Sequence, residues 1–86
     1  MKRRKEVELF ADAMERKLQK NDYKGGWKGM YKEEDFEFLR DKFNEELTEF
    51  LTAFKNRSNR MLNEGADVAN IIMMICDVAE KLTHRR

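Results

Sequence analysis

The sequence predicts an all-α fold: an antiparallel helical hairpin with a further helix on its N-terminal side, assembled into an oligomeric helix bundle. Three observations carry this expectation. No proline interrupts the 86 residues. Apolar residues recur at three- and four-residue intervals in three long stretches. The two segments between those stretches hold turn-forming residues, with Gly25, Gly26 and Gly29 in one and Asn56, Ser58 and Asn59 in the other.

The first helix is expected over about Lys5 to Lys20, where Val7, Phe10, Met14 and Leu18 recur at helical spacing. Asn21-Asp22 ends it, and the glycines after Tyr23 cannot continue a helix cheaply. The second helix starts near Lys32 or Glu33 and carries Phe36, Leu39, Phe43, Leu47, Phe50 and Phe54 as one apolar stripe. A turn follows at 56–59, where Ser58 or Asn59 can cap the third helix, expected from about Arg60 to Leu82. That last segment is the most apolar and is apolar nearly all round. Three amphipathic helices of this length cannot cover all their apolar faces alone, which predicts a homodimer or higher homo-oligomer.

Composition narrows the function. With 41% charged and 41% hydrophobic residues, residues 1–86 read as one small domain with a thin core. A net charge of +1 leaves no electrostatic footprint for a nucleic acid polymer, and Lys2-Arg3-Arg4-Lys5 reads as a solvated basic tail. The longest apolar run, Ile71 to Cys76, is too short to span a bilayer. No apolar signal stretch opens the sequence, and the lone Cys76 forms no internal disulfide, so the expected compartment is the cytoplasm. Cys76 itself, in an apolar helix without a basic neighbour, reads as an inert core thiol.

Four acids stand apart from the many solvated ones. Glu46 and Glu49 are three apart, as are Glu64 and Asp67, so each pair shares one side of a helix. The two pairs are equidistant from a point between Asn56 and Arg57, so a chain that folds back there brings them level. At ~100° per residue, Glu46 borders the apolar stripe of the second helix, Glu49 lies a step further out, and Glu45 points nearly opposite. By the same arithmetic Glu64 falls within about 40° of Val68, Ile71, Ile75, Val78 and Leu82, with Asp67 about 60° to one side. An unpaired carboxylate costs several kcal/mol to bury, so acids on an apolar face call for a cation, a basic partner or a raised pKa. Mg²⁺, a hard ion that takes oxygen ligands, suits the four. A di-iron bundle does not, because it needs a Glu-x-x-His on two helices and the only histidine is His84.

Glu45-Glu46-x-x-Glu49 followed by Glu64-x-x-Asp67 resembles the signature of the all-α, MazG-like nucleoside triphosphate pyrophosphohydrolases. Asn21-Asp22-Tyr23-Lys24-Gly25-Gly26-Trp27 resembles the Lys-Gly-Gly-Trp loop that precedes the acidic helix in small members. Asp67-Val68-Ala69-Asn70 and the apolar run after it resemble their third helix. The likeness covers residues 5 to 82 or so, in order and spacing. It implies Mg²⁺-dependent hydrolysis of the α–β phosphoanhydride of a nucleoside triphosphate, giving monophosphate and pyrophosphate, with Mn²⁺ a possible substitute. Glu46, Glu49, Glu64 and Asp67 would then be the metal ligands, and Glu45 would orient or deprotonate the attacking water.

Relatives supply further basic residues beyond the third helix, whereas nineteen residues follow Asp67 here. Phosphate contacts are therefore expected from Lys24, Lys28, Lys55, Arg57 or Arg60, or from a second subunit. Lys24, Lys55 and Arg60 lead that group, because they flank the acidic residues in sequence. Trp27 suits either stacking on a nucleobase or closing the core at the loop. Asn70, one turn beyond Asp67, suits a hydrogen bond to a sugar, a base or metal-bound water, or the polar edge of an interface. Two other functions remain open on the sequence: a non-catalytic module of the same fold for assembly or nucleotide sensing, and a plain helical oligomerisation domain that binds no metal.

Overall fold

The computed structural model describes residues 1–21 and 26–83 of the chain. Among these, the regular structure is three helices: α1 (Lys5–Lys20), α2 (Glu33–Lys55) and α3 (Met61–Thr83). α3 packs against both of the others. None of the helices is long and apolar enough to cross a membrane.

Local chemistry sets each helix end. α1 places Glu6 and Glu8 in its first turn and Lys17 and Lys20 in its last, complementing the helix dipole. The Asn21 side-chain amide donates to the Lys17 carbonyl and closes that end. α2 begins where Asp35 reaches back one turn. Its carboxylate accepts the backbone N–H of Tyr31 at 2.8 Å and of Lys32 at 2.9 Å, satisfying donors that a helix start leaves orphaned. The bond from Lys32, then that from Tyr31, holds the Asp35 carboxyl below its usual pKa.

The α2–α3 connection is a Schellman end. Ser58 N–H donates to Ala53 O and Arg57 N–H to Phe54 O. This requires a left-handed residue at Arg57, φ 49°, where glycine is usual and another residue costs about 1 kcal/mol. The Arg57 guanidinium offsets part of that cost by lying over the Phe54 ring, 4.6 Å from its centroid. Ser58 Oγ then accepts the Arg60 N–H, the turn-capping bond expected of that serine.

The interior is small: Ala13, Leu39, Ala53, Ala66, Ile71 and Val78 are its buried apolar residues among those described. Gly65 faces the Phe50 and Phe10 rings, and a Cβ there would meet them at 3.4 Å and 3.7 Å, in ordinary van der Waals contact. Several large apolar residues of the helices stay outside, Val7, Phe10 and Phe54 of the sequence stripes among them. Leu51, Leu62 and Ile72 are exposed as well, and so is Cys76, which the apolar character of α3 had placed in the core. A helix apolar on every side does not declare which side its neighbours cover. Here α1 and α2 leave the Ile72 and Cys76 side of α3 open.

Candidate metal centre

α2 contributes Glu46, and α3 contributes Glu64 and Asp67, to a single point. One carboxylate oxygen from each lies within 4.8 Å of the others. Oxygens on opposite sides of one Mg²⁺ stand about 4 Å apart, at a metal–oxygen distance near 2.1 Å, so the cluster is close to the size of one hard cation. Glu64 is buried at 8% exposure, whereas Glu46 and Asp67 are half-buried. Glu49, one turn along α2, is exposed and stands outside the triad, but its carboxyl is close enough to that of Glu46 to help raise the Glu46 pKa.

The electrostatics follow from this crowding. Burial, the closeness of the Glu49 carboxyl and the neighbouring charges of Asp67 and Glu49 push the Glu46 carboxyl up to about 7, against a smaller opposing pull from Lys42. Two side-chain cations sit on the other carboxylates. Lys17 Nζ of α1 is 3.2 Å from Asp67 Oδ2, and Arg60 Nη2 is 3.0 Å from Glu64 Oε1.

Two hollows each take in part of the cluster. One, of about 320 Å³, is lined by Glu46, Asp67, Asn70, Lys17, Lys42 and Phe38 among others. The second, of about 350 Å³, includes Glu49, Glu64, Arg60, Thr48 and Thr52. Asn70 is 4% exposed. Its amide nitrogen donates to the Met14 carbonyl at 3.1 Å, which fixes the side-chain orientation. Its Oδ1 is buried and has no partner. A buried acceptor left unpaired costs on the order of 1–3 kcal/mol. An orphaned oxygen in the wall of a carboxylate-lined hollow fits a site that receives a cation or a hydrogen-bond donor.

Glu45 projects outward, 67% exposed in its side chain, and pairs with Lys42 at 3.4 Å; the fold does not bring it to the cluster. Arg60 is at the cluster, but as the partner of Glu64. Lys55 is exposed in the last turn of α2 and lines neither hollow. Lys24 lies outside the described residues. Trp27 is half-buried and donates its indole N–H to Asp77 Oδ2 at 2.9 Å. It lines a further cavity with Gly26, Met30 and Leu39, and this cavity shares Asn21, Phe38, Lys42, Ile71 and Met74 with the carboxylate hollow.

Three functional candidates were not singled out in the sequence. Lys17 flanks the α1 stripe three residues after Met14, so its edge position was a readable signal, but its partner was not. Asp77 anchors the glycine loop: besides Trp27 it binds Lys81 at 3.1 Å, and Lys81 in turn donates to the Lys28 carbonyl. Those bonds, that from Trp27 foremost, hold the Asp77 carboxyl below its usual pKa. Phe38 is 53% exposed on the lip shared by the two cavities, where the sequence offered only a residue beside an apolar stripe.

Comparison of the chain with protein-family models, with curated proteins and with solved structures returned no match.

Proposed function

We propose that the chain is a small MazG-like, Mg²⁺-dependent nucleoside triphosphate pyrophosphohydrolase of the cytoplasm. The observation that carries this reading is the convergence of Glu46, Glu64 and Asp67, with Glu49 beside Glu46, from two helices whose acids are equidistant from one turn. That convergence is what an antiparallel α2–α3 hairpin predicts, and the approach of Phe50 to Gly65 supports the same pairing. Glu46, Glu64 and Asp67 would hold the ion, with Glu49 beside them. A divalent ion bound there supplies charge neutralisation of the phosphates and a more acidic bound water.

In the reaction, a water oxygen forms the bond to the α-phosphorus and the bond from that phosphorus to the bridging oxygen breaks, releasing pyrophosphate. The protein's part is positioning and proton handling. Glu45 faces solvent, so the water-directing role it would have by resemblance falls to Glu49, the carboxylate nearest the cluster that is also open to solvent. The connected cavities run from the carboxylates past Phe38 to Trp27, which suits a ligand with an anionic end and a planar apolar end.

The reading includes a homodimer or higher oligomer. The accessible surface is 6948 Å², against about 5,400 Å² expected for a compact monomer of this mass. A cleft of about 450 Å³ lined by Phe10, Leu47, Phe50, Met61, Leu62, Gly65 and Val68 lies on the uncovered side. Light scattering at micromolar concentration should give at least twice the chain mass of 10.4 kDa; a monomer would remove this part of the reading.

The deciding experiment is a panel of nucleoside triphosphates with Mg²⁺, Mn²⁺ or Ca²⁺, with products resolved. Monophosphate plus pyrophosphate is expected with Mg²⁺ and Mn²⁺, and little turnover with Ca²⁺, which is larger and less demanding in geometry. Diphosphate plus phosphate would place the cleavage at the wrong bond. Metal binding without hydrolysis across the panel would favour the assembly or sensing module, and no metal binding would favour a plain oligomerisation domain.

A further inference from the structure

Lys17 is the side chain at the centre that neither the acidic pattern nor the expected phosphate contacts accounts for. It comes from α1, the helix that contributes no carboxylate to the cluster, and reaches Asp67 Oδ2 at 3.2 Å. Its side chain is 27% exposed and that of Asp67 is 22% exposed. The corresponding Arg60 side chain on Glu64 is 73% exposed, so the Lys17 contact is the less solvated of the two and less screened by water and salt. Lys17 lines the same hollow as Glu46, Asp67 and Asn70. Asn70, donating to the α1 backbone at Met14, ties α1 to α3 one turn before Lys17. The Lys17 ammonium therefore sits, on a held helix, where the charge of a bound divalent ion would act.

We propose that Lys17 is a built-in counter-ion that a divalent metal displaces, and that the displaced ammonium then binds the phosphate or pyrophosphate group held beside the metal. This rests on the metal-centre reading above and adds to it a residue with two successive partners. The physical reasons are three. Asp67 cannot keep Lys17 as its main partner and also give its oxygens to a metal without a rival cation close by, so metal affinity is reduced by the stability of the internal pair. An ammonium on a four-carbon flexible stem can move several ångströms without moving its helix, which a planar, forked guanidinium does less freely. And a phosphate anion beside the metal restores to the displaced cation the charge partner that it lost. Asn70, whose Oδ1 is buried and unpartnered, lines the same hollow.

The test uses the full chain, with Mn²⁺ alone as the first probe and pyrophosphate as the second, both followed by calorimetry. Lys17→Gln should tighten Mn²⁺ binding to the nucleotide-free protein roughly thirty-fold, the effect of removing one unit charge about 4 Å from a doubly charged ion in a water-like medium. The same variant should weaken pyrophosphate binding to the Mn²⁺-loaded protein by a similar or larger factor, and Lys17→Arg, which keeps the charge on a less mobile head, should recover only part of that loss. In wild-type protein, the side-chain NMR signals of Lys17 should shift on adding Mg²⁺ and shift again on adding pyrophosphate, a readout that needs no variant to fold. Wild-type protein that binds Mn²⁺, with Lys17→Gln binding it equally and Lys17 signals indifferent to Mg²⁺, would overturn this proposal and leave the metal centre standing. Wild-type protein that binds no Mn²⁺ would overturn the metal centre and this proposal with it.

Discussion

Replacing Asp67 with asparagine is expected to abolish Mg²⁺-dependent turnover while leaving the chain folded. Asp67 is one of three carboxylates within 4.8 Å, and the amide keeps its shape while removing the charge that a hard cation requires. Substitution of groups that merely orient metal ligands costs on the order of 10–100-fold, so loss of a ligand's charge should cost at least 100-fold in pyrophosphate release. Stability should change little, because two effects oppose each other. The half-buried ion pair with Lys17 is lost, at a cost on the order of 1 kcal/mol, and one of the charges that raise the Glu46 pKa is removed. Measured together, Mg²⁺ calorimetry, pyrophosphate release and the urea midpoint separate the two consequences. Full turnover in a folded Asp67→Asn variant would take Asp67 out of the mechanism.

The second large effect is a pH dependence that Glu46 confers and Glu46→Gln removes. The folded-state pKa of Glu46 is raised from the ordinary 4.5 to about 7, so between those values the folded chain holds a proton that the unfolded chain has lost. Stability from this group therefore falls as pH rises from about 4.5 to about 7, and the penalty is complete above 7. Because Glu46 is partly open to solvent, the full shift overstates the penalty, which should be on the order of 1 kcal/mol after screening. At pH 8 the Glu46→Gln variant should be the more stable protein by about that amount, as read from urea midpoints, and its stability should vary less between pH 5 and pH 8. Metal binding carries the opposite dependence. A cation must expel the Glu46 proton, so Mg²⁺ affinity in the wild type should rise with pH until about 7 and then level off. Glu46→Gln should bind Mg²⁺ more weakly and lose that dependence. Parallel stability curves for wild type and variant across this range would show that the crowding at Glu46 is not felt.

The helical phase of the acids was legible in the sequence because it is a local property. A fixed rotation per residue is enough to put Glu64 on the face of Ile71 and Val78, both buried with it, and to turn Glu45 out to solvent, where it pairs with Lys42. The same rotation ranked Glu46 ahead of Glu49, and the structure has Glu46 in the triad and Glu49 beside it. The turn was legible for a related reason: Asn56, Ser58 and Asn59 interrupt the apolar period, and Ser58 makes a capping bond there. The partners that reach across from another part of the chain were not legible. Lys17 meets Asp67, Trp27 meets Asp77 and Asn70 meets the Met14 carbonyl, all across long stretches of chain, and no periodicity relates their members.

By itself the sequence determined three helices, the boundaries of α1, and which acids share a helix face, since each follows from backbone geometry repeated over a few residues. The tertiary structure alone decided which of several apolar faces is covered. Helical periodicity gives a stripe its direction but not its neighbour, so Leu39 and Val78 became core while Phe54, Ile72 and Cys76 stayed outside. It also decided the charge state of the centre. The proximity of Glu46 to Glu49 and Asp67, and the arrival of Lys17 from α1, depend on how helices pack. Coulomb energies at these separations change steeply with distances that no local pattern encodes.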